Sequence, residues 1–304
     1  MGAQLKDTKS LHKEKIESLL HQANSIIVDK SVEISLCVSC FLANGHLLLE
    51  DRPGMGKTTL IKTLSLLFGL NSNRIQFTND MLPADILGAS IFNQQSNSFE
   101  FHKGPIFSNF ILADEINRAT PKTQSAFLQG MEEGIISIDG KSYQLPKPFF
   151  IAATQNPTES IGTFNLPESQ LDRFLMKISL GYPSREAERA LLKKERTNLM
   201  NKLKPVFSSQ EIIEIQNWVS EIHLSETLLD YAQDLIEKSR TLTEGLSPRA
   251  AKDFVRASQA WAFIEGRDFV IPEDLQRVAH PVMGHRLGKD AHLVDEIIQS
   301  VRVP

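Results

Sequence analysis

Residues 51–59 read Asp51-Arg52-Pro53-Gly54-Met55-Gly56-Lys57-Thr58-Thr59, between the apolar run Leu47-Leu48-Leu49 and a helix-like run from Leu60 to Phe68. A strand, a Gly-rich turn, Lys-Thr and a helix together make a triphosphate cradle. Glycines let backbone N–H groups approach phosphate with no Cβ in the way, and the helix N-terminus adds partial positive charge. Lys57 is expected to reach the β- and γ-phosphates, and the Thr58 hydroxyl to ligate magnesium. The residues expected to contact the nucleotide here are Pro53, Gly54, Met55, Gly56, Lys57, Thr58 and Thr59. The stretch departs from the pattern G-x-x-x-x-G-K-[ST] at its first position, where Asp51 replaces glycine. Pro53 and Gly54 can still form the turn.

A second segment separates this reading from an ordinary Gly-rich turn with a surface lysine. Phe110-Ile111-Leu112-Ala113-Asp114-Glu115 is an apolar strand ending in two acids. A strand beside the cradle can deliver Asp114 to the magnesium ion. Glu115 can then polarise an attacking water, since general-base work needs a carboxylate within hydrogen-bond reach.

Bulk properties fit a soluble chain of about two domains. Of 304 residues, 41% are hydrophobic and 23% charged, with a net charge of −4. That balance gives no global basic field for nucleic acid. No apolar run approaches the length of a membrane span. The polar N-terminus MGAQLKDTKSLHKEK lacks the apolar core of a signal peptide, so a cytoplasmic location is expected. The two cysteines, Cys37 and Cys40, form C-x-x-C inside an apolar run, with no second pair at zinc spacing. They read as small hydrophobes of a buried helix.

Five apolar strands alternate with helical stretches: His46–Leu49, Arg74–Thr78, Phe110–Asp114, Phe149–Thr154 and Phe174–Leu180. This predicts an α/β fold with a five-stranded parallel sheet between helices. The cradle, the two acids and Thr154-Gln155-Asn156 then all fall at strand carboxyl ends, where such folds bind ligands. Beyond Gly181-Tyr182-Pro183-Ser184 the pattern is helical, with helix starts at Ser208, Ser225, Pro248 and Pro272. The expected division is an α/β nucleotide-binding domain over 1–184 and a smaller α-helical domain over 185–304. Two inserts interrupt the first: Met81–Phe101, and Gly134–Leu145, where Asp139-Gly140 between alternating runs signals a hairpin.

Taken together these segments resemble the MoxR family of AAA+ ATPases over nearly the whole chain. Leu112-Ala113-Asp114-Glu115-Ile116-Asn117-Arg118-Ala119 is similar to the family's Walker B block, and Ala153-Thr154-Gln155-Asn156-Pro157 to its sensor 1 strand. Gly162-Thr163-Phe164, Leu166-Pro167-Glu168 and Gln170-Leu171-Asp172-Arg173-Phe174 resemble the segment ending in the arginine finger. Ser247-Pro248-Arg249-Ala250 resembles sensor 2 of the lid, and His285-Arg286 matches the C-terminal pattern. The resemblance implies that Asn156 orients the lytic water, that Arg173 acts on a neighbour's ATP, and that Arg249 reaches the γ-phosphate from the lid. It further implies that the two inserts are the helix-2 insert and the pre-sensor hairpin, and that the second domain is the lid. It implies ATP and magnesium as ligands, a homo-oligomeric hexameric ring, and chaperone-like remodelling, often with partners carrying von Willebrand factor A domains.

Read without the resemblance, Arg173 could instead be a helix-end cation, and Arg249 a solvated first-turn residue. Arg118 could serve the site or cap a turn. A nucleotide-gated assembly module and the motor subunit of a metal chelatase are the alternative functions. Ile27-Val28-Asp29-Lys30 stands where family members show Val-Gly-Gln near adenine, so these residues are not among the expected contacts.

Overall fold

A computed structural model describes residues 2–52, 54–155, 162–192, 200–288 and 292–304. Helices α1 (Gly2–Ile26) and α2 (Ser31–Leu42) lead into β1 (Leu47–Glu50), the cradle, and α3 (Lys57–Leu67). Strand β2 (Ser72–Gln76) precedes the first insert, which holds α4 (Pro83–Leu87) and the hairpin β3 (Gly88–Asn93) and β4 (Ser98–Lys103). Strand β5 (Phe110–Asp114), a 3-10 turn (Ile116–Arg118) and α5 (Pro121–Glu133) come next. The second insert is the hairpin β6 (Ile135–Ile138) and β7 (Lys141–Gln144), whose turn residues Asp139 and Gly140 have φ of 52° and 73°. Two successive positive φ values are what a twisted two-residue hairpin turn requires. Strand β8 (Phe150–Gln155), α6 (Glu168–Leu171) and β9 (Met176–Ile178) complete the α/β part.

The central sheet has the order β2-β5-β8-β1-β9, all parallel. Because strand side chains alternate, the sheet builds two cores. Leu47, Leu49, Phe110, Leu112, Phe150 and Ala152 face one layer; Leu48, Ile111, Ala113, Ile151 and Ala153 face the other. The second layer is α4, α5 and the β6–β7 hairpin.

The first layer continues without a break into the C-terminal helices α8 (Ser209–Ser220), α9 (Glu226–Leu242), α10 (Pro248–Ile264), α11 (Pro272–Met283) and α12 (His292–Ser300). Helix α7 (Arg185–Leu192) connects the two parts. Helix α2 lies between sheet and lid: Phe41 packs edge-on to Phe68, Phe110 and Phe150, with ring centroids 4.5, 5.6 and 5.2 Å away. Such pairs add roughly 0.5–1.5 kcal/mol each beyond their buried area.

Cys37 and Cys40 sit in α2, free and buried, and burial pushes both thiols up, away from thiolate chemistry. Ser208 and Ser225 cap α8 and α9 by accepting from the N–H groups of Glu211 and Leu228, and Pro248 and Pro272 open α10 and α11. Helix α1 goes beyond the sequence reading. Its apolar residues Ile16, Leu19, Leu20 and Ala23 recur at helical spacing and pack into the first core. Among the described residues no helix is long and apolar enough to cross a membrane.

His46, just before β1, ties three elements together. Its Nδ1 accepts from the Ile151 N–H (3.1 Å), so Nε2 carries the proton and donates to Met131 O (3.2 Å). Burial lowers its pKa from 6.5 to about 4. The unfolded chain therefore takes up a proton that the folded chain refuses. Stability present above pH 6.5 is lost as pH falls toward 4, by at most about 3 kcal/mol. His46→Asn keeps an acceptor for Ile151 but cannot titrate. Its unfolding free energy, from denaturant titrations between pH 7 and 4, should fall less steeply than that of the parent. Parallel slopes would remove His46 as a source of acid lability.

Candidate functional site

The strand register places chemistry along one edge of the sheet. Gln76 pairs with Asp114 across β2–β5, and Glu50 with Gln155 across β1–β8, so all four lie at carboxyl ends. Above them opens a cleft of about 500 Å³ lined by Gly54, Gly56, Lys57, Thr58, Thr59, Arg74, Gln76, Asp114 and Glu115.

The cradle forms because Gly54 and Gly56 hold φ of 86° and 89°, a left-handed conformation that residues with a Cβ rarely adopt. Gly56 then starts α3, and Lys57 is its first residue. Lys57 is buried and its ammonium donates to the backbone O of Asp51 (2.7 Å). Burial lowers the Lys57 pKa, while the carboxylates of Asp51, Asp114, Glu115 and Glu50 pull it back. Asp51 has its own task. Its carboxylate accepts from the Ser179 hydroxyl (2.7 Å) and from the N–H groups of Leu180 (2.6 Å) and Gly181 (3.0 Å). The residue that replaces the first glycine thus anchors the cradle to the chain leaving β9. Pro53 lies outside the described residues.

The two acids are held by Thr154. Its hydroxyl donates to Asp114 Oδ1 (2.6 Å) and accepts from the Glu115 N–H (2.9 Å). Asp114 Oδ2 accepts from Arg74 (2.6 Å). Glu115 has φ 56° and ψ 48°, a left-handed conformation costly for a side chain with a Cβ and characteristic of functional turns. Its Oε2 meets Arg118 Nε (2.8 Å) and accepts from Gln76 (3.1 Å). Arg118 therefore faces the acid pair. Asn156 follows Gln155 but lies outside the described residues. Arg74 and Gln76 are cleft residues that sequence reasoning missed. The polar–apolar–polar pattern Arg74-Ile75-Gln76 was the available signal, since alternation puts both on one face.

A second, smaller pocket of about 150 Å³ adjoins the cradle and is mostly apolar, with Ile27, Val28, Met55, Pro183 and Ala187 among its walls. Gly54, Gly56 and Thr59 line both spaces. Ile27, Val28 and Lys30, which are not among the contacts expected from the sequence, line this second pocket. Met55 lines this pocket, not the cleft.

Arg173 and Arg249 are elsewhere. Helix α5 runs back from the cleft edge, so Glu132 near its end lies at the opposite edge of the sheet, where Met131 O meets His46. Arg173 Nη1 pairs with Glu132 Oε2 (2.5 Å) and donates to Leu128 O (3.2 Å). Arg249 pairs with the other oxygen, Glu132 Oε1. Strand β8 alone, at about 3.3 Å per residue, sets the two edges roughly 17 Å apart. Arg249, expected to reach the γ-phosphate from the lid, stands here with Arg173 on Glu132. Neither arginine is among the residues lining the cleft. Two guanidinium groups on one carboxylate leave surplus positive charge, and Arg249 is 46% exposed.

A model described as the ATPase family associated with various cellular activities (AAA) matches residues 46–176, and one for the AAA lid domain matches residues 237–301. The Bacillus subtilis protein YeaC is 41% identical, over 96% of this chain and 97% of its own. Chaperone MoxR1 of Mycobacterium tuberculosis is 37% identical, over 94% of this chain and 79% of its own. A crystal structure from Cytophaga hutchinsonii superposes with TM-score 0.90 at 35% identity, covering 99% of this chain and 98% of that one.

Proposed function

The chain belongs to the AAA+ ATPases of the MoxR type, and on that premise we propose that it hydrolyses ATP with magnesium, as a homo-oligomeric ring that remodels a protein partner. The observation that carries this reading is the convergence of Lys57, Thr58, Asp114 and Glu115 on one cleft. The cradle N–H groups and Lys57 bind the β- and γ-phosphates. The donor set suits magnesium, a hard cation that takes oxygen ligands: the Thr58 hydroxyl and the Asp114 carboxylate would hold it. Bound there, magnesium offsets the phosphate charge that develops during transfer. Glu115 orients and polarises the water, with Asn156 as its partner. The apolar pocket beside the cradle takes the adenine ring.

Arg173 and Arg249 complete the site of a neighbouring copy. Their distance from their own cleft supports this role, as does their shared, part-exposed cationic face. A planar fork that stays charged suits a γ-phosphoryl group. In this reading 1–184 is the motor domain, 185–304 the lid, and the ring is hexameric. The partner is a protein client, engaged directly or through a von Willebrand factor A domain protein. Phosphate release from ATP should require magnesium, because excess EDTA leaves Thr58 and Asp114 with nothing to coordinate. Undiminished turnover in EDTA would overturn the assignment.

A further inference from the structure

We infer that Arg286 is a positioning residue that, through Asp172, sets the Arg173–Arg249 pair that one copy offers to the next. This rests on the trans role of Arg173 proposed above.

Arg286 follows α11, and its side chain is only 4% exposed. Its Nε donates to Asp172 Oδ1 (2.8 Å) and Nη2 to Asp253 Oδ2 (2.9 Å). The remaining donors reach the carbonyls of Asp172 (3.1 Å), Phe174 (2.9 Å), Leu175 (3.1 Å) and Val282 (2.7 Å). Residues on both sides of Arg173 are thus gripped from the lid, while Arg173 itself points out to Glu132. Two further lid contacts reinforce the grip. His285 Nε2 is 3.0 Å from Phe174 O, and the Ser247 hydroxyl donates to Asp172 Oδ2 (3.0 Å). Ser247 also caps α10, accepting from Ala250 N–H (3.1 Å), and Arg249 is in that first turn. One carboxylate, Asp172, therefore ties the residue before Arg173 to the cap of the helix that carries Arg249.

A simple staple between lid and sheet would not need this arrangement. The apolar core already crosses from α2 to α10. A buried charge is costly unless fully paired, and a paired one adds little net stability. What a buried guanidinium with all three nitrogens engaged supplies is a single arrangement of the groups it holds. Here those groups include the carbonyls flanking Arg173.

The test separates giving an arginine from receiving one. Arg286→Lys keeps the charge and loses the fork. Alone, it should hydrolyse ATP about 100-fold more slowly, the effect of a misplacement near 1 Å, with nucleotide affinity unchanged by calorimetry. Mixed with Glu115→Gln, whose arginines are intact, it should regain activity. Mixed with Arg173→Ala, which also cannot give, it should not. A general folding defect would fail both mixtures. Recovery with Arg173→Ala, no recovery with Glu115→Gln, or normal activity alone would overturn the inference. The pair Arg173→Ala with Glu115→Gln is the control: if that pair fails, the trans reading itself is wrong. Should Arg286→Lys not fold, Asp172→Asn, which keeps the side-chain shape and removes the charge facing Arg286, should give the same pattern.

Discussion

Glu115→Gln should bind ATP as the parent does and turn it over at least ~100-fold more slowly, the low end for losing a general base. Gln keeps the size of Glu115 and an oxygen for Gln76 and Arg118, whose contacts are 3.1 and 2.8 Å in the parent. It cannot take a proton from water. Lys57→Ala should behave differently. It removes the cation on the β- and γ-phosphates, and nucleotide binding itself should be lost. Calorimetry and a phosphate-release assay on both variants distinguish the two failures. Near-parental turnover by Glu115→Gln would show that the base has been assigned to the wrong carboxylate.

The readable parts of this chain are those governed by short-range rules. Apolar runs ending in polar residues locate the five strands; β2 keeps its expected length but starts two residues earlier, and only β9 is shorter than the run that marks it. Phe174–Leu180 was expected where Met176–Ile178 forms, since Phe174 and Leu175 are spent on the Arg286 and His46 contacts. Asp139-Gly140 and the caps Ser208 and Ser225 are local signals and were legible. In the first insert the chain also forms a hairpin, β3–β4. Its turn at Gln94–Asn97 lacks a two-residue signature, so no strand pair is legible there from sequence.

The polar contacts that organise the arginines could not be read. Arg286 lies 114 residues from Asp172, and Arg249 lies 117 from Glu132. No periodicity joins such pairs, because they are made when separate elements dock. The same holds for Asp51, which looked like a defect in a motif until the chain after β9 came beside it.

Arg173→Ala should bind ATP and be nearly inactive, as should Glu115→Gln. Mixing the two should restore hydrolysis. Some neighbours then combine an intact Glu115 with an intact Arg173, and an arginine finger is worth roughly 10³ or more in rate. Even a minority of repaired sites is therefore visible. Recovery should grow with protein concentration, because assembly is a mass-action step. If Arg173 served only its own helix end, its loss would cost about 0.3–1 kcal/mol of stability, and mixing would restore nothing. The decisive measurement is the hydrolysis rate while one variant is titrated into the other, after subunit exchange is confirmed. The rate should rise to a maximum at intermediate ratios. A flat line across all ratios would contradict a site shared between copies.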